Sequence, residues 1–357
     1  MKVLLEAHHP AHIHFWKYPI RELQERGHTV LLIGRDRDVM KRLLEVYDWI
    51  DAEIPPRPST KNHFPFREML SRQWTVAKAI RRFRPNVVAS LMGSYCQSAR
   101  LLGCRNVIFT DTETQDFNHR ISHPFAHEIH TPVYFRKNLG RKHRRYSGIH
   151  ELSFLDGRHF VPEKAILDKY EGLEPRQYVL VRMSAWNTLH DRDRRGIGEH
   201  IYRFVDQFSK NWRIIISAEE GKVPPGLEAH AIQFAPEDFH HLLAFSRFVL
   251  TEGASTSSEA ACLGVPSVFI NSTATLGIPA MLEELGLAKH LRDSAKGVTT
   301  ATSWLSSLNE THFNEFSQQR DRLITSHIDL CSYVVTVLEK NAGESISSDR
   351  GTTPRSA

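Results

Sequence analysis

Short apolar runs rich in β-branched residues alternate along this chain with amphipathic stretches bounded by Gly and Pro. The alternation predicts strands and helices in turn. Val3, Leu4 and Leu5 open it as a buried strand, residues 15–27 follow as a helix with Tyr18, Ile20 and Leu23 on one face, and residues 29–33 form the next strand. Further helices are predicted over 39–46, 68–83 and 94–102, with strands over 87–91, 106–109 and 129–132. Residues 55–65 are polar and proline-rich and read as a loop. Residues 136–174 are basic and irregular and read as a connector. A second run opens at Tyr178, with strands over 178–181, 212–216, 232–234, 248–250 and 267–270 and helices over 200–208, 237–245, 280–285 and 313–338. Residues 184–198 read as a long polar loop. This is an α/β pattern of doubly wound parallel sheets. The expected division is two domains, 1–160 and 161–340, followed by a disordered tail over 341–357 that is rich in Ser, Gly and Thr.

One stretch stands out. The strand Phe248-Val249-Leu250 runs into Thr251, Glu252 and Gly253, then Ser255, Thr256 and Ser257, then a helix carrying Glu259, Ala260 and Ala261 and stopped by Gly264 and Pro266. A strand, a glycine turn, hydroxyls and a helix N-terminus make an anion site, because free N–H groups and the helix dipole converge there. Glu259 then stands near the anion, where a ribose diol would suit its carboxylate. The competing reading is a capping box in which Glu259 bonds back to its own helix start.

The chain has 357 residues, enough for two ordinary domains, and its 41% hydrophobic and 24% charged content is globular. A formal charge of +5 suits an anionic ligand or a membrane surface. No basic stripe with interleaved aromatics is present, so nucleic acid is not an expected partner. There is no long apolar run, no signal peptide is expected, and the four scattered cysteines read as reduced thiols of a cytoplasmic protein.

The histidines are the compositional oddity, 21 in all, with His8, His9, His12 and His14 within seven positions after the first strand. Three readings stand. They could hold a metal with Glu6, Asp111 and Glu113, although the spacing is not that of a zinc site. One could be a general base at the end of the first strand. Or they cap the following helix.

The chain resembles a family of GT-B-type glycosyltransferases known as domain-of-unknown-function family 354. The resemblance is carried by His12-Ile13-His14-Phe15 with Arg26-Gly27-His28, by Asp111-Thr112-Glu113, by residues 144–152, by Val181-Arg182-Met183-Ser184 with His190-Asp191, by residues 239–243 and by residues 251–266. More distantly it is similar to the N-acetylglucosaminyltransferase acting on lipid-linked peptidoglycan precursor and to UDP-N-acetylglucosamine 2-epimerase. The resemblance implies a GT-B-like fold, two Rossmann-like domains facing across a cleft, with no cofactor and no metal. His12, sixteen positions before His28 as in the transferase, would be the base, although the glycines of that loop are absent here. Asp111 and Glu113 would orient His12 or bind sugar hydroxyls. Gly253, Ser255 and Thr256 would hold the donor diphosphate, Glu259 its ribose, and Arg182 the charge on the leaving group. Phe234 would flank the nucleotide base, and Ser184, His190 and His240 would complete the donor site.

The implied partners are a nucleotide diphosphate sugar, a UDP-sugar first, and a glycan or lipid-linked acceptor of the cell envelope. The basic residues 136–145 leave room for peripheral contact at the inner face of the plasma membrane. Two alternatives accompany this reading: a 2-epimerase-like enzyme, and a non-catalytic subunit that binds nucleotide sugars.

Overall fold

A computed structural model describes residues 1–36, 38–55, 65–184, 196–218, 223–272 and 276–350. The chain forms two compact units, one of residues 1–154 with 328–357 and one of residues 155–327. The strands of the first unit are β1 (Lys2–Glu6), β2 (Thr29–Ile33), β3 (Ala52–Glu53), β4 (Val87–Ser90), β5 (Arg105–Phe109), β6 (Glu128–Pro132) and β7 (His143–Tyr146). Between them run α1 (Pro10–Glu25), α2 (Asp38–Val46), α3 (Pro65–Phe83), α4 (Cys96–Leu101) and α5 (Asp116–Ile121), and α6 (Leu152–Leu155) leads out of the unit. The second unit holds β8 (Tyr178–Met183), α7 (His200–Phe208), β9 (Arg213–Ala218), α8 (Phe239–Phe245), β10 (Phe248–Thr251), α9 (Ala254–Cys262), β11 (Ser267–Ile270), α10 (Gly277–Glu284), β12 (Ala288–Leu291), α11 (Ser294–Ser307) and α12 (Glu310–Thr325). A last helix, α13 (Leu330–Arg350), belongs to the first unit.

Every strand pair is parallel, and the orders are β3-β2-β1-β4-β5-β6-β7 and β12-β11-β10-β8-β9. In the first sheet the chain runs outward from β1 through β2 and β3, then restarts on the other side with β4. In the second it runs from β8 to β9 and restarts with β10. Each restart is a switch point, where the strand ends open a crevice. The strand runs are buried on both faces: Val3, Leu4 and Leu5, and Val179, Leu180 and Val181, are all 0% exposed.

Six expectations change, one of them simply an absence: among the described residues the strand expected over 232–234 does not form, and only an isolated bridge joins Ala231 to Ile216. First, α1 starts at Pro10, so His12 and His14 lie in its first turns and not in a loop. Proline suits a first helical position, and the His9 side chain caps the start by accepting from the Ala11 N–H at 3.3 Å. Second, the supposed irregular connector contains β7, which pairs with β6 from Ile129↔His143 to Pro132↔Tyr146. Its charged sequence hides it, because an edge strand needs only one buried face. Third, the closing helix expected over 313–338 is two helices broken before Leu330. Fourth, the domain boundary is not a single cut near 160, because the chain returns to the first unit at Ile328. Fifth, the expected tail is helical as far as Arg350, and Asn341 and Ala342 are buried on the sheet. The proline-rich 56–64 lies outside the described residues.

Polar ties fix α13 to the first sheet. Asn341 Oδ1 accepts from Arg105 at 2.9 Å, and the Asn341 amide and the Lys340 ammonium donate to the two Glu128 oxygens at 3.1 Å. Glu339 accepts from Arg26 at 2.8 Å and contacts His28 Nε2 at 2.9 Å, so the Arg26-Gly27-His28 motif serves here to dock α13. Gly27 adopts φ +78°, the left-handed turn that ends α1.

Burial pushes the imidazoles of His123, His127 and His143 from an ordinary 6.5 down to about 4. Unfolded, each takes its proton near 6.5; folded, only near 4. Within that window the unfolded chain binds more protons, so stability is full above it and falls as the pH drops through it. The urea midpoint of the full chain is expected to fall between pH 7 and pH 4.5, with a shallower fall in His123→Gln. An unchanged midpoint across that range contradicts the assignment.

Candidate functional site

Both switch points carry polar residues that the apolar strands push to their ends. In the second unit, β8 ends on Arg182 and Met183, and β10 delivers Glu252 and Gly253 beside them, with Thr251 paired to Arg182. Gly253 precedes α9, and no side chain caps that helix. Its first-turn N–H groups, on Ala254, Ser255 and Thr256, have no acceptor within the helix. Ser255 is exposed, and Thr256 is 8% exposed. The hydroxyl of Ser257 is committed elsewhere, 2.8 Å from that of Ser267 on β11. The three-hydroxyl run therefore divides: Ser255 is exposed in the first turn, Thr256 is nearly buried beside it, and Ser257 packs inward.

Glu259 makes no capping box. It is the sixth residue of α9, 6% exposed, and its Oε1 lies 3.2 Å from His240 Nε2 on α8, itself 2% exposed. The imidazole N–H faces the carboxylate and compensates part of its desolvation. The ring of Phe239 stacks on Phe234 at 5.5 Å and lies under the Arg182 guanidinium at 5.8 Å. Arg182 also donates to Ser217 Oγ at 2.6 Å. Arg182, Phe234, His240 and Glu259 are thus gathered through one segment, residues 239–240. His190 lies outside the described residues.

Glu252 is the residue that the sequence did not single out. It is 2% exposed, and its two oxygens accept from the backbone N–H of Ser184 at 2.8 Å and of Ile197 at 2.7 Å. One carboxylate fixes both ends of the stretch after β8, and this is how Ser184 is positioned. The only hint was an acidic residue directly after a fully apolar strand.

In the first unit, β1 ends on Glu6 and the histidine segment begins. Glu6 is 0% exposed, and the Nε2 of His8 lies against its Oε1. The His8 ring stacks at 6.4 Å on that of His12 and meets Tyr95, just beyond β4, at 5.5 Å. His12 Nδ1 accepts the backbone N–H of His8 at 3.2 Å. His14 packs inward, its ring 5.7 Å from that of Phe154. Asp111 follows β5, and its Oδ2 lies 3.3 Å from Nδ1 of His150, so its partner is an imidazole that the sequence did not mark as functional. Burial lowers the His150 pKa against the raising effect of Asp111. Glu113 is 6% exposed. Among the described residues no three His, Cys, Asp or Glu side chains converge as a metal ligand set, and no helix is long and apolar enough to cross a membrane.

Residues 1–329 match the family model described as protein of unknown function (DUF354). The chain belongs to this family. An uncharacterized protein of Methanocaldococcus jannaschii is 21% identical over 306 residues, 82% of this chain and 88% of that protein. Among solved structures, the UDP-GlcNAc 2-epimerase from Neisseria meningitidis bound to UDP-GlcNAc superposes with a TM-score of 0.67 at 14% identity, over 95% of this chain and 100% of its own. MurG of Acinetobacter baumannii gives 0.59 at 16% identity, over 95% and 99%. The fold of this DUF354 chain is therefore GT-B-like, with two Rossmann-like units.

Removing the Glu252 carboxylate orphans two N–H groups. Glu252→Ala is expected to lower unfolding stability by roughly 2–4 kcal/mol, and Glu252→Gln by less, because one carbonyl acceptor remains. Urea melts of the two variants test this; equal losses would show that the paired bonds are not what Glu252 contributes.

Proposed function

We propose that this chain transfers a sugar from a nucleotide diphosphate sugar to a hydroxyl acceptor. The observation that carries the proposal is the uncapped start of α9 at a switch point, with the Glu259 carboxylate held 3.2 Å from His240 about one turn further along the same short helix. The first-turn N–H groups, with Gly253, Ser255 and Thr256, hold the diphosphate. Glu259 accepts from the ribose hydroxyls, and His240 orients that carboxylate. Phe234 flanks the nucleotide base. Arg182 and the positive end of α9 offset the charge that grows on the departing diphosphate, supplying what a metal ion supplies elsewhere. The acceptor hydroxyl gives its proton to an imidazole of the β1–α1 segment, with Asp111 and Glu113 on the acceptor side. The sequence resemblance to the lipid-linked precursor transferase supports a lipid-linked or envelope glycan as acceptor, and the UDP-GlcNAc in the Neisseria enzyme supports a UDP-sugar as donor.

A second reading has its own support: the epimerase superposes better than MurG, 0.67 against 0.59. That chemistry removes and returns the proton at sugar C2 and needs no acceptor. Product analysis separates the two, because a changed sugar without any acceptor is epimerisation.

UDP or UDP-GlcNAc at about a hundredfold excess over its Kd should stabilise the chain by about 2.7 kcal/mol, a rise of several degrees in Tm. Glu259→Gln, which keeps the shape and loses the ribose acceptor charge, should lose most of that rise. If no uridine, guanosine or thymidine nucleotide shifts the Tm of the unaltered chain, the donor-site reading fails.

A further inference from the structure

Asp111 and Glu113 both follow β5, but the fold treats them differently. Glu113 is 6% exposed. The Asp111 side chain is 29% exposed, so a solute can reach its carboxylate. Asp111 is also the acid backed by an imidazole, since its Oδ2 lies 3.3 Å from Nδ1 of His150.

The His150 ring is wedged in place. Phe15 on α1 packs against it at 4.8 Å, and Tyr146, the last residue of β7, lies nearly parallel to it at 6.5 Å. Its Nε2 is buried, with no hydrogen-bond partner among the described residues. A carboxylate can only accept, so the ring proton belongs on Nδ1 and the lone pair on Nε2, in the apolar slot. The other tautomer sets a lone pair against the carboxylate and buries an unpaired N–H, which is the costlier arrangement.

The ring is also uncharged. Burial lowers the His150 pKa below 6.5 against the raising effect of Asp111, so at neutral pH it is a neutral N–H donor. Among the described residues Asp111 makes no ion pair with Lys or Arg. Its carboxylate is therefore oriented without being neutralised. Thr112 Oγ1 donates to Oδ1 at 3.1 Å, and His150 occupies one side of Oδ2. A carboxylate has about four acceptor positions, so about two remain open.

We infer that Asp111 receives two neighbouring hydroxyls of a sugar ring in the acceptor, and that His150 is the residue that positions it. The inference rests on the transferase reading and narrows its acceptor: the end that enters the site is an uncharged sugar. A carboxylate without a cation beside it accepts from hydroxyls and repels a phosphate or carboxylate group. His150 touches no substrate; it acts by fixing the direction of the Asp111 oxygens.

Two measurements on the full chain decide the matter. In nitrogen-15 spectra of histidine-labelled protein at neutral pH, the signal absent from His150→Asn is expected to be an Nδ1–H tautomer. An Nε2–H tautomer or an imidazolium overturns the pairing. In turnover with UDP-GlcNAc and a lipid-linked glycan acceptor, Asp111→Asn is expected to raise the acceptor KM about tenfold or more, the scale of a lost charged hydrogen bond, with the donor KM little changed. His150→Leu should raise the acceptor KM in the same way. His150→Asn, whose amide N–H stands near the place of the Nδ1–H, should largely restore it. A merely structural role predicts the reverse, because leucine fills an apolar slot better than asparagine. An acceptor KM unchanged in Asp111→Asn, or restored by leucine and not by asparagine, overturns the proposal. If the unaltered chain turns over no nucleotide sugar, the transferase reading fails by itself, and the tautomer spectrum alone supports or rejects the His150–Asp111 pair.

Discussion

Parallel pairing is the constraint on which the rest depends. A parallel strand cannot be joined to its neighbour by a tight turn, so each connection crosses back over the sheet, usually as a helix. All strand ends and the helix starts that follow them then share one edge. Where the chain sets out in both directions from two adjacent strands, that edge opens. This happens between β1 and β4 and again between β8 and β10. Glu6 and His8 stand at the first opening, and Arg182, Glu252 and the start of α9 at the second. The chemistry is confined to these edges because the strand interiors are apolar on both faces.

Three carboxylates are buried there, and each meets the cost of burial differently. Glu252 takes two backbone N–H groups, a geometry that stabilises the ionised form and braces Ser184 and Ile197. Glu259 takes one imidazole, which orients it along α9. Glu6 faces an imidazole without a hydrogen bond to either oxygen. A carboxylate satisfied by backbone is architectural, since the backbone cannot give up its protons. One balanced by an imidazole depends on which ring nitrogen carries the proton, and so Glu6 and Glu259 differ in kind from Glu252 although all three are almost fully buried.

The sequence made the central strands and the β10–α9 turn legible, because uninterrupted apolar runs ending in Gly and hydroxyls leave few alternatives. It hid the edges of the fold. β7 reads His143-Arg-Arg-Tyr and β12 reads Ala288-Lys-His-Leu, and neither has the apolar density of a central strand. The start of α1 was obscured by histidines that look like loop residues, although Pro10 and the His9 cap define a helix end. Arg182 and Glu259 could be named from the sequence, but not their partners. His240 meets Glu259 from 19 positions away, Glu252 reaches back 68 positions to Ser184, and Asp111 meets His150 across two further strands. Such pairs follow from crossover geometry, which no local pattern records.

The four histidines after β1 show why residue type alone cannot assign a role. All four carry the same ring and lie within seven positions. The helix start makes His9 a cap, since the Ala11 N–H needs an acceptor. The helical period turns His14 inward against Phe154. His12, on the same turn, receives the His8 N–H and is fixed as a donor at its other nitrogen. His8 stands before the helix, where its own N–H is given to His12 and its ring is held between an acid and a guanidinium. A neutral imidazole has one donor and one acceptor nitrogen, so naming the neighbour of either nitrogen fixes the function of the other. By that rule the guanidinium takes up the lone pair of His8 Nδ1, and the N–H on its Nε2 faces the Glu6 carboxylate.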